Sequence, residues 1–389
     1  MLRNQMHTIF VTDGRSRASV AIIRTLGMKG LNIISGESYP INPSFFSRFV
    51  KKRVIYPDPR KNPDQFLDFI LRFIRNNKID MIIPVRDDAT LILSKNREEI
   101  SQYSRIVVGE YATLMKARDK AETIRIAQAE QVPHPYTQIT ETSDQIDTKL
   151  NFPLILKPRK SSGSRGIFLV NTEAELFEKY EKISKIFGPP MIQEFIPYGG
   201  AIGVSMLFNK GQPKATFTHK RLREYPRSGG PSTLRESIRH ADAEKNAITL
   251  LKAMNWHGVA MVEFRIDSRD GIPKLMEINP RFWGSLSLAI NAGVDFPYLL
   301  YEMGKDGDVK QCTDYQLGVK NRWLIGDLLW LLSSRNKQKD FFEFLHFSKI
   351  GSDEFILTDP LPLLGAFLEG GTALLKREKR KHSFERGWE

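Results

Sequence analysis

The chain is 389 residues long, with 41% hydrophobic and 26% charged side chains, which excludes a disordered protein and allows two or three packed units. Its single cysteine, Cys312, excludes a disulfide framework or a thiolate metal cluster within one chain, and no apolar run approaches the roughly 18 residues of a spanning helix. The formal net charge of +13 calls for an anionic partner, and polyphosphate, nucleic acid and acidic lipid all qualify.

The amino terminus lacks a signal-peptide layout, because the apolar stretch 9–11 is short and is soon followed by Asp13 and Arg15. A cytoplasmic location is expected. From 7 to 110, short apolar runs alternate with segments of helical period, at 7–12, 18–28, 31–35, 63–76, 81–85, 89–94 and 106–108. This βαβ alternation predicts a small parallel sheet covered by helices, a Rossmann-like α/β domain over 1–115. Asp13-Gly14-Arg15-Ser16-Arg17 falls at its first β-to-α turn, where backbone N–H groups can bind an anion, although there is no G-x-G-x-x-G fingerprint.

Asp119-Lys120 opens a helical stretch that Pro133 and Pro135 end, which places a domain junction there. Between 152 and 280 the pattern turns strand-rich, with helical segments at 173–186 and 241–254. Two α+β lobes are expected within 116–310, one over about 133–196 and one over about 197–310. The remainder, 311–389, reads as a mostly helical, aromatic and basic extension.

Two apolar strands end in acids, Met261-Val262-Glu263-Phe264 and Leu275-Met276-Glu277-Ile278-Asn279, with a Gly271-Ile272-Pro273 turn between them. In a hairpin of suitable register Glu263 and Glu277 face each other, and Asn279 shares the face of Glu277 because strand side chains alternate. Hard oxygen donors of this kind suit Mg²⁺, which takes one or two carboxylates and completes its shell with phosphate and water. Two solvent-facing glutamates are the plainer alternative. Lys157 stands at the end of a strand, before the small-residue loop 161–166, and such a pair can hold phosphates. A plain hairpin turn would look the same. The strand Met191-Ile192-Gln193-Glu194-Phe195-Ile196 can meet an adenine, with main chain and Glu194 at the base edge. The basic segment 218–232 reads as a loop, either simply solvated or placed over a carboxylate ligand, where the planar fork of Arg223 or Arg227 suits both oxygens. His219 reads as structural before catalytic, and Trp283 as packing before substrate wall.

In that order, these pieces resemble the ATP-grasp superfamily. The closing Glu277-Ile278-Asn279-Pro280-Arg281 is similar to the carbamoyl-phosphate-synthetase and biotin-carboxylase branch. The resemblance covers roughly 116–310, and 1–110 looks like the domain that precedes it in that family. It implies an ATP-grasp fold and an ATP- and Mg²⁺-dependent ligase, with Mn²⁺ as a substitute ion, that joins a carboxylate to an amine through an acyl phosphate. It further implies that Lys120 and Lys157 contact ATP phosphates and that Gly163, Ser164, Arg165 and Gly166 belong to a mobile phosphate-covering loop. Glu194, Phe195 and Ile196 would form the adenine hinge. Glu263, Glu277 and Asn279 would hold Mg²⁺, and Arg281 would meet the transferred phosphate. After the hinge, 198–203 lacks the acid with which many relatives contact the ribose hydroxyls.

Carboxylation or carbamoyl-phosphate formation is the rival within enzymes, and an inactive nucleotide-responsive binding module is the rival outside them. The implied substrates are small-molecule or peptide carboxylates and amines. Nucleic acid is disfavoured, because no interleaved aromatic platform accompanies the basic residues. The extension, with apolar clusters at 323–332, 341–347 and 355–368 and the basic run 376–381, reads in two ways. Its helices cover the ATP-grasp lobe or a homodimer partner, or they make a peripheral contact with an acidic membrane.

Overall fold

The computed structural model describes residues 6–147, 149–160, 166–227, 229–334, 336–345 and 350–375, the last five of these as main chain only. Strands are numbered in chain order. Near the amino terminus, β1 (Thr8–Val11), β2 (Asn32–Glu37), β3 (Val50–Ile55), β4 (Met81–Ile83) and β5 (Arg105–Ile106) form a sheet in the order β3-β2-β1-β4-β5. Every pairing in it is parallel. The central strands are continuous apolar runs because both faces are covered. Ile9 and Val11 face the helix Arg17–Met28 through Ile22, Ile23 and Leu26, while Phe10 faces the helix Pro63–Asn76 through Phe66 and Ile70. The chain leaves β1 toward β2 on one side, and β4 lies on the other. A crevice therefore opens beyond the carboxyl ends of β1 and β4, as expected where strand order reverses.

A second sheet contains β6 (Thr137–Ile139), β7 (Leu154–Pro158), β8 (Phe168–Val170) and β9 (Pro190–Glu194), in the antiparallel order β6-β9-β7-β8. The helix Glu173–Phe187 covers it with Leu176, Tyr180 and Ile183. Thr172 caps that helix by accepting from the Glu175 amide, which satisfies one of the donors a helix start leaves open.

The largest sheet has seven strands, β14-β13-β10-β11-β12-β15-β16. They are β10 (Tyr198–Asn209), β11 (Gln212–Glu224), β12 (Ser232–Ile238), β13 (Gly258–Asp267), β14 (Pro273–Asn279), β15 (Lys320–Arg322) and β16 (Ile350–Ser352). The helix Ala241–Ala253 buries Ala243, Ala247, Leu250 and Leu251 against β10 and β13. Two expectations change here. Most of the presumed loop 218–232 is strand, with only 225–231 left as a connection. The described part of the extension holds the helices Leu324–Leu332, Lys337–Phe344 and Leu361–Leu375, and it also contributes β15 and β16 to the sheet. At three residues each, these strands are too short to show an alternating pattern in sequence.

A buried charge network ties the extension to both preceding parts. Asp353 accepts from Arg17 at 2.7 Å, from Asn321 at 3.2 Å and from Arg235. Arg24 binds Asp359 at 3.0 Å and the main-chain oxygens of Asp353 and Glu354. Removing one member of a buried ionic group leaves its partners desolvated and unpaired. We therefore expect Asp353→Ala to lose about 3–5 kcal/mol of stability, read as a lowered unfolding midpoint in denaturant. A midpoint within error of wild type would show that the network carries no structural weight.

Candidate functional site

The hairpin β13–β14 has the register that brings its acids together, since Glu263 pairs directly with Glu277 and Met261 with Asn279. Asn279 donates to Glu277 at 3.4 Å and accepts from Arg281 at 3.1 Å, so an amide oxygen joins the two carboxylates. All three residues line one cleft of about 500 Å³. The two carboxyls differ. Burial, with the charge of Glu277 added, pushes Glu263 up although Arg221 binds it at 2.7 Å. Burial also acts on Glu277, but Lys120 at 3.3 Å and Lys157 outweigh it and hold the carboxyl below its usual range. Among the described residues no group of three or more acids, histidines and cysteines forms a metal cage. Two carboxylates and an amide on one face are a hard-oxygen half-shell that fits Mg²⁺ carrying phosphate and water.

Cations surround these acids. Lys120 begins the helix Lys120–Ala129, where Asp119 caps the Ala121 amide, and its ammonium reaches the hairpin. Lys157 lies on β7 and is 8% exposed. Burial and the neighbouring charge of Lys120 push it down to about 7. Arg281 follows β14 and binds Asp87 at 3.0 Å, and this guanidinium outweighs burial to keep Asp87 ionised below the usual range. Arg17 and Asp87 enter the cleft from the amino-terminal sheet, at the ends of β1 and β4. Gly284 lies close beside them, and a Cβ there would stand 2.7 Å from the Arg17 guanidinium and push it aside.

The other end of the cleft is apolar and lies along β9 and its exit, with Phe195 and Ile196 in its lining. Glu194 also lines it, but its carboxylate is engaged by Arg269 and by the Tyr136 amide at 3.3 Å. Any base edge here therefore meets main chain before it meets that side chain. An apolar slot, a double-cation centre and a paired-acid face thus follow one another along a single cleft.

Residues 117–285 match the family model of an ATP-grasp domain. The chain carries an ATP-grasp domain. It is 29% identical over 143 residues to D-alanine–D-alanine ligase A of Bacillus cereus, an alignment that covers 35% of this chain and 46% of that protein. The chain thus spans less than half the length of that curated relative. Among solved structures, N5-carboxyaminoimidazole synthetase from Staphylococcus aureus complexed with ADP superposes with a TM-score of 0.65 at 16% identity, covering 87% of this chain and 86% of that one. L-amino acid ligase from Bacillus licheniformis gives 0.60 at 18% identity, covering 77% and 74%. Biotin carboxylase from Campylobacter jejuni gives 0.64 at 16%, covering 79% and 74%. At these identities the likeness concerns the fold.

Within the ATP-grasp cleft the structure brings together Lys120, Lys157, Glu194, Phe195, Ile196, Glu263, Glu277, Asn279 and Arg281. Gly163, Ser164 and Arg165 lie outside the described residues. Gly166 closes that segment at φ +73°, with Pro158 and Phe187 where a Cβ would stand, so only glycine fits there without strain.

Arg223 and Arg227 are corrected. Both leave the cleft and sandwich the Trp330 ring, at 4.3 and 4.2 Å from its centroid. Arg223 binds Asp327 at 2.9 Å and Arg227 binds Asp340, all within the extension. The cause is a break in register between β11 and β12 around Leu222, which reverses the alternation of side chains. Arg221 therefore faces the cleft instead, on Glu263 and Glu224. Sequence cannot separate three arginines in one basic segment when the pairing irregularity decides which of them points inward. His219, on the same strand, is buried and pushed down to about 3 by burial and by Arg235 and Arg221, so it stays neutral and is a poor base. Trp283 is a packing residue at the cleft wall, edge-on to Phe296 at 5.0 Å.

Two outcomes follow. Bound phosphates favour the charged form of Lys157, so ATP binding takes up a proton wherever that lysine is neutral in the free protein. Affinity should fall as pH rises above about 7, by up to about tenfold per unit, and Lys157→Arg should remove the dependence. Calorimetric titrations in buffers of different ionisation enthalpy measure this, and wild-type affinity that is flat from neutral to alkaline pH rules it out. In parallel, Arg221→Gln should depress turnover by about 10²-fold or more, while Arg223→Gln should lower the unfolding midpoint and leave turnover nearly intact. The reverse pattern would restore Arg223 to the site.

Proposed function

We propose that this chain is an ATP- and Mg²⁺-dependent carboxylate–amine ligase that forms an amide through an acyl phosphate. The observation that carries the reading is the Glu263–Glu277 pair, with Asn279 beside it, flanked by Lys120 and Lys157 on one side and by Arg221 and Arg281 on the other. Glu263, Glu277 and Asn279 would hold Mg²⁺, with Mn²⁺ as a substitute. Held there, the ion would offset phosphate charge and lower the cost of bringing a carboxylate near it.

The chain's own groups supply the rest. The slot at Phe195 and Ile196 takes the adenine, and Lys120 and Lys157 neutralise the phosphates. Arg281, held by Asp87, meets the transferred phosphoryl group, and Arg221 meets the carboxylate end of the reaction. A substrate carboxylate oxygen bonds to the γ-phosphorus as the bond to ADP breaks. The amine then bonds to the acyl carbon, phosphate leaves, and the amine proton passes to solvent. No side chain forms a covalent bond, so the protein's contribution is positioning and charge. His219 remains a neutral wall.

The segment shared with D-alanine–D-alanine ligase A favours amide formation over carboxylation, since that relative's name describes a carboxylate–amine joining. Small-molecule or peptide carboxylates and amines are the substrates we infer, and a homodimer and a cytoplasmic location fit the same reading. Among the described residues no helix is long and apolar enough to cross a membrane.

A screen of amino acids, short peptides and sugar acids for ADP release, with hydroxylamine present to trap acyl phosphate as hydroxamate, tests the assignment. In it, Glu263→Ala and Glu277→Ala should each lose at least about a hundredfold in Mg²⁺-dependent turnover with an unchanged circular dichroism spectrum. Hydroxamate formed by either variant at near wild-type rate would sink the metal face and the mechanism built on it.

A further inference from the structure

The extension presents its apolar residues the wrong way round for a packed helix. The helix Leu361–Leu375 rests on the segment Pro43–Phe46 through its small side, where Pro362 and Gly365 are buried and a Cβ on Gly365 would stand 2.7 Å from Phe46. Four of its large residues point outward. Leu361, Leu364, Phe367 and Leu368 are 43–53% exposed and occupy one arc, roughly 120° wide at 100° per residue. The one acid of this helix, Glu369, lies away from that arc and is paired with Arg15. Elsewhere in the extension, Leu332 and Phe342 are 67% and 71% exposed. Among the described residues, twelve large apolar side chains between 328 and 368 lie open in this way. Single exposed leucines are ordinary, but a concentration of this kind marks a surface that is covered in use.

We propose that this face is a lipid-docking surface, with the helix Leu361–Leu375 lying in the interface of an anionic bilayer. The choice of a bilayer over a protein rests on charge. The sequence that directly follows the helix, Lys376-Arg377-Glu378-Lys379-Arg380-Lys381, has five cations and one acid, in a chain of net charge +13. An apolar helical face next to a basic cluster matches both layers of an anionic interface, acyl chains for the leucines and headgroups for the lysines and arginines. The helix is about 22 Å long, shorter than the roughly 30 Å hydrocarbon core, so it lies on the membrane and does not span it. The ATP-grasp cleft is formed by other elements, and this inference stands or falls separately from the catalytic reading.

The test is co-sedimentation of the full chain with vesicles of phosphatidylcholine alone or of phosphatidylcholine with phosphatidylglycerol, at low and moderate salt. The protein should pellet with the anionic vesicles, remain in the supernatant with neutral ones, and bind more weakly as salt screens the surface. Each basic residue near such a surface raises affinity about fivefold, so neutralising Lys379, Arg380 and Lys381 to Gln should cost about a hundredfold. Leu364→Glu with Phe367→Glu should abolish binding, and Leu364→Ser with Phe367→Ser should weaken it while keeping the wild-type unfolding midpoint. The proposal is overturned if the intact chain stays in the supernatant with anionic vesicles at low salt, or if the apolar variants bind as wild type. It is equally overturned if sedimentation velocity shows a dimer that the Glu variants dissociate, because the face is then an interface between two copies.

Discussion

Two like charges held opposite each other on the β13–β14 hairpin are the constraint around which the cleft is organised. Glu263 and Glu277 repel and are both desolvated, and the protein tolerates this because cations stand on either side. Arg221 comes from β11, Lys120 from a helix start, Lys157 from the second sheet, and Arg281 from the residue that follows the strand by two. Each has to arrive from a different element, since one strand or helix cannot surround a carboxylate pair. The cleft between the lobes is the geometric result of that requirement.

The same electrostatics divides the cationic groups by role. Lys157, deep and beside Lys120, holds its proton less firmly than a free lysine, because burial and the neighbouring charge both oppose it. Arg221 cannot lose its proton, and Glu263 with Glu224 secures its charge further. A lysine where charge must appear on binding and an arginine where charge must always be present are physically distinct solutions. Arg281 stands between them, aimed by Asp87 from the amino-terminal sheet, which makes that sheet part of the site and not merely a neighbour.

The extension serves two purposes. Inward, β15, β16 and the Arg17–Asp353–Arg235 group complete the large sheet and tie it to the helix that follows β1. Arg223 and Arg227, clasping Trp330, belong to this fastening. Outward, the extension leaves leucines and phenylalanines uncovered, and the proposed lipid contact is a reading of that outer side alone.

The parallel amino-terminal sheet, the strand-rich middle and the paired acids were legible from sequence, because each rests on local periodicity or on a strand-end motif that contact between neighbouring residues enforces. Glu263 and Glu277 needed only a short hairpin, with thirteen residues between them, to meet. Lys120, Lys157, Glu194 and Arg281 were found through the order of motifs along the chain. What the sequence could not decide was direction and distant partnership. Whether Arg221 or Arg223 enters the cleft depends on a slip in the β11–β12 pairing between them, which turns Arg223 away from the face of Arg221 and leaves no trace in composition. Glu224, Asp87 and Arg17 reach the cleft from elements far apart in sequence, and the strands β15 and β16 exist only because β12 offers an edge. Such features follow from long-range packing, where the energy that selects one arrangement is spread over contacts that no window of neighbouring residues contains.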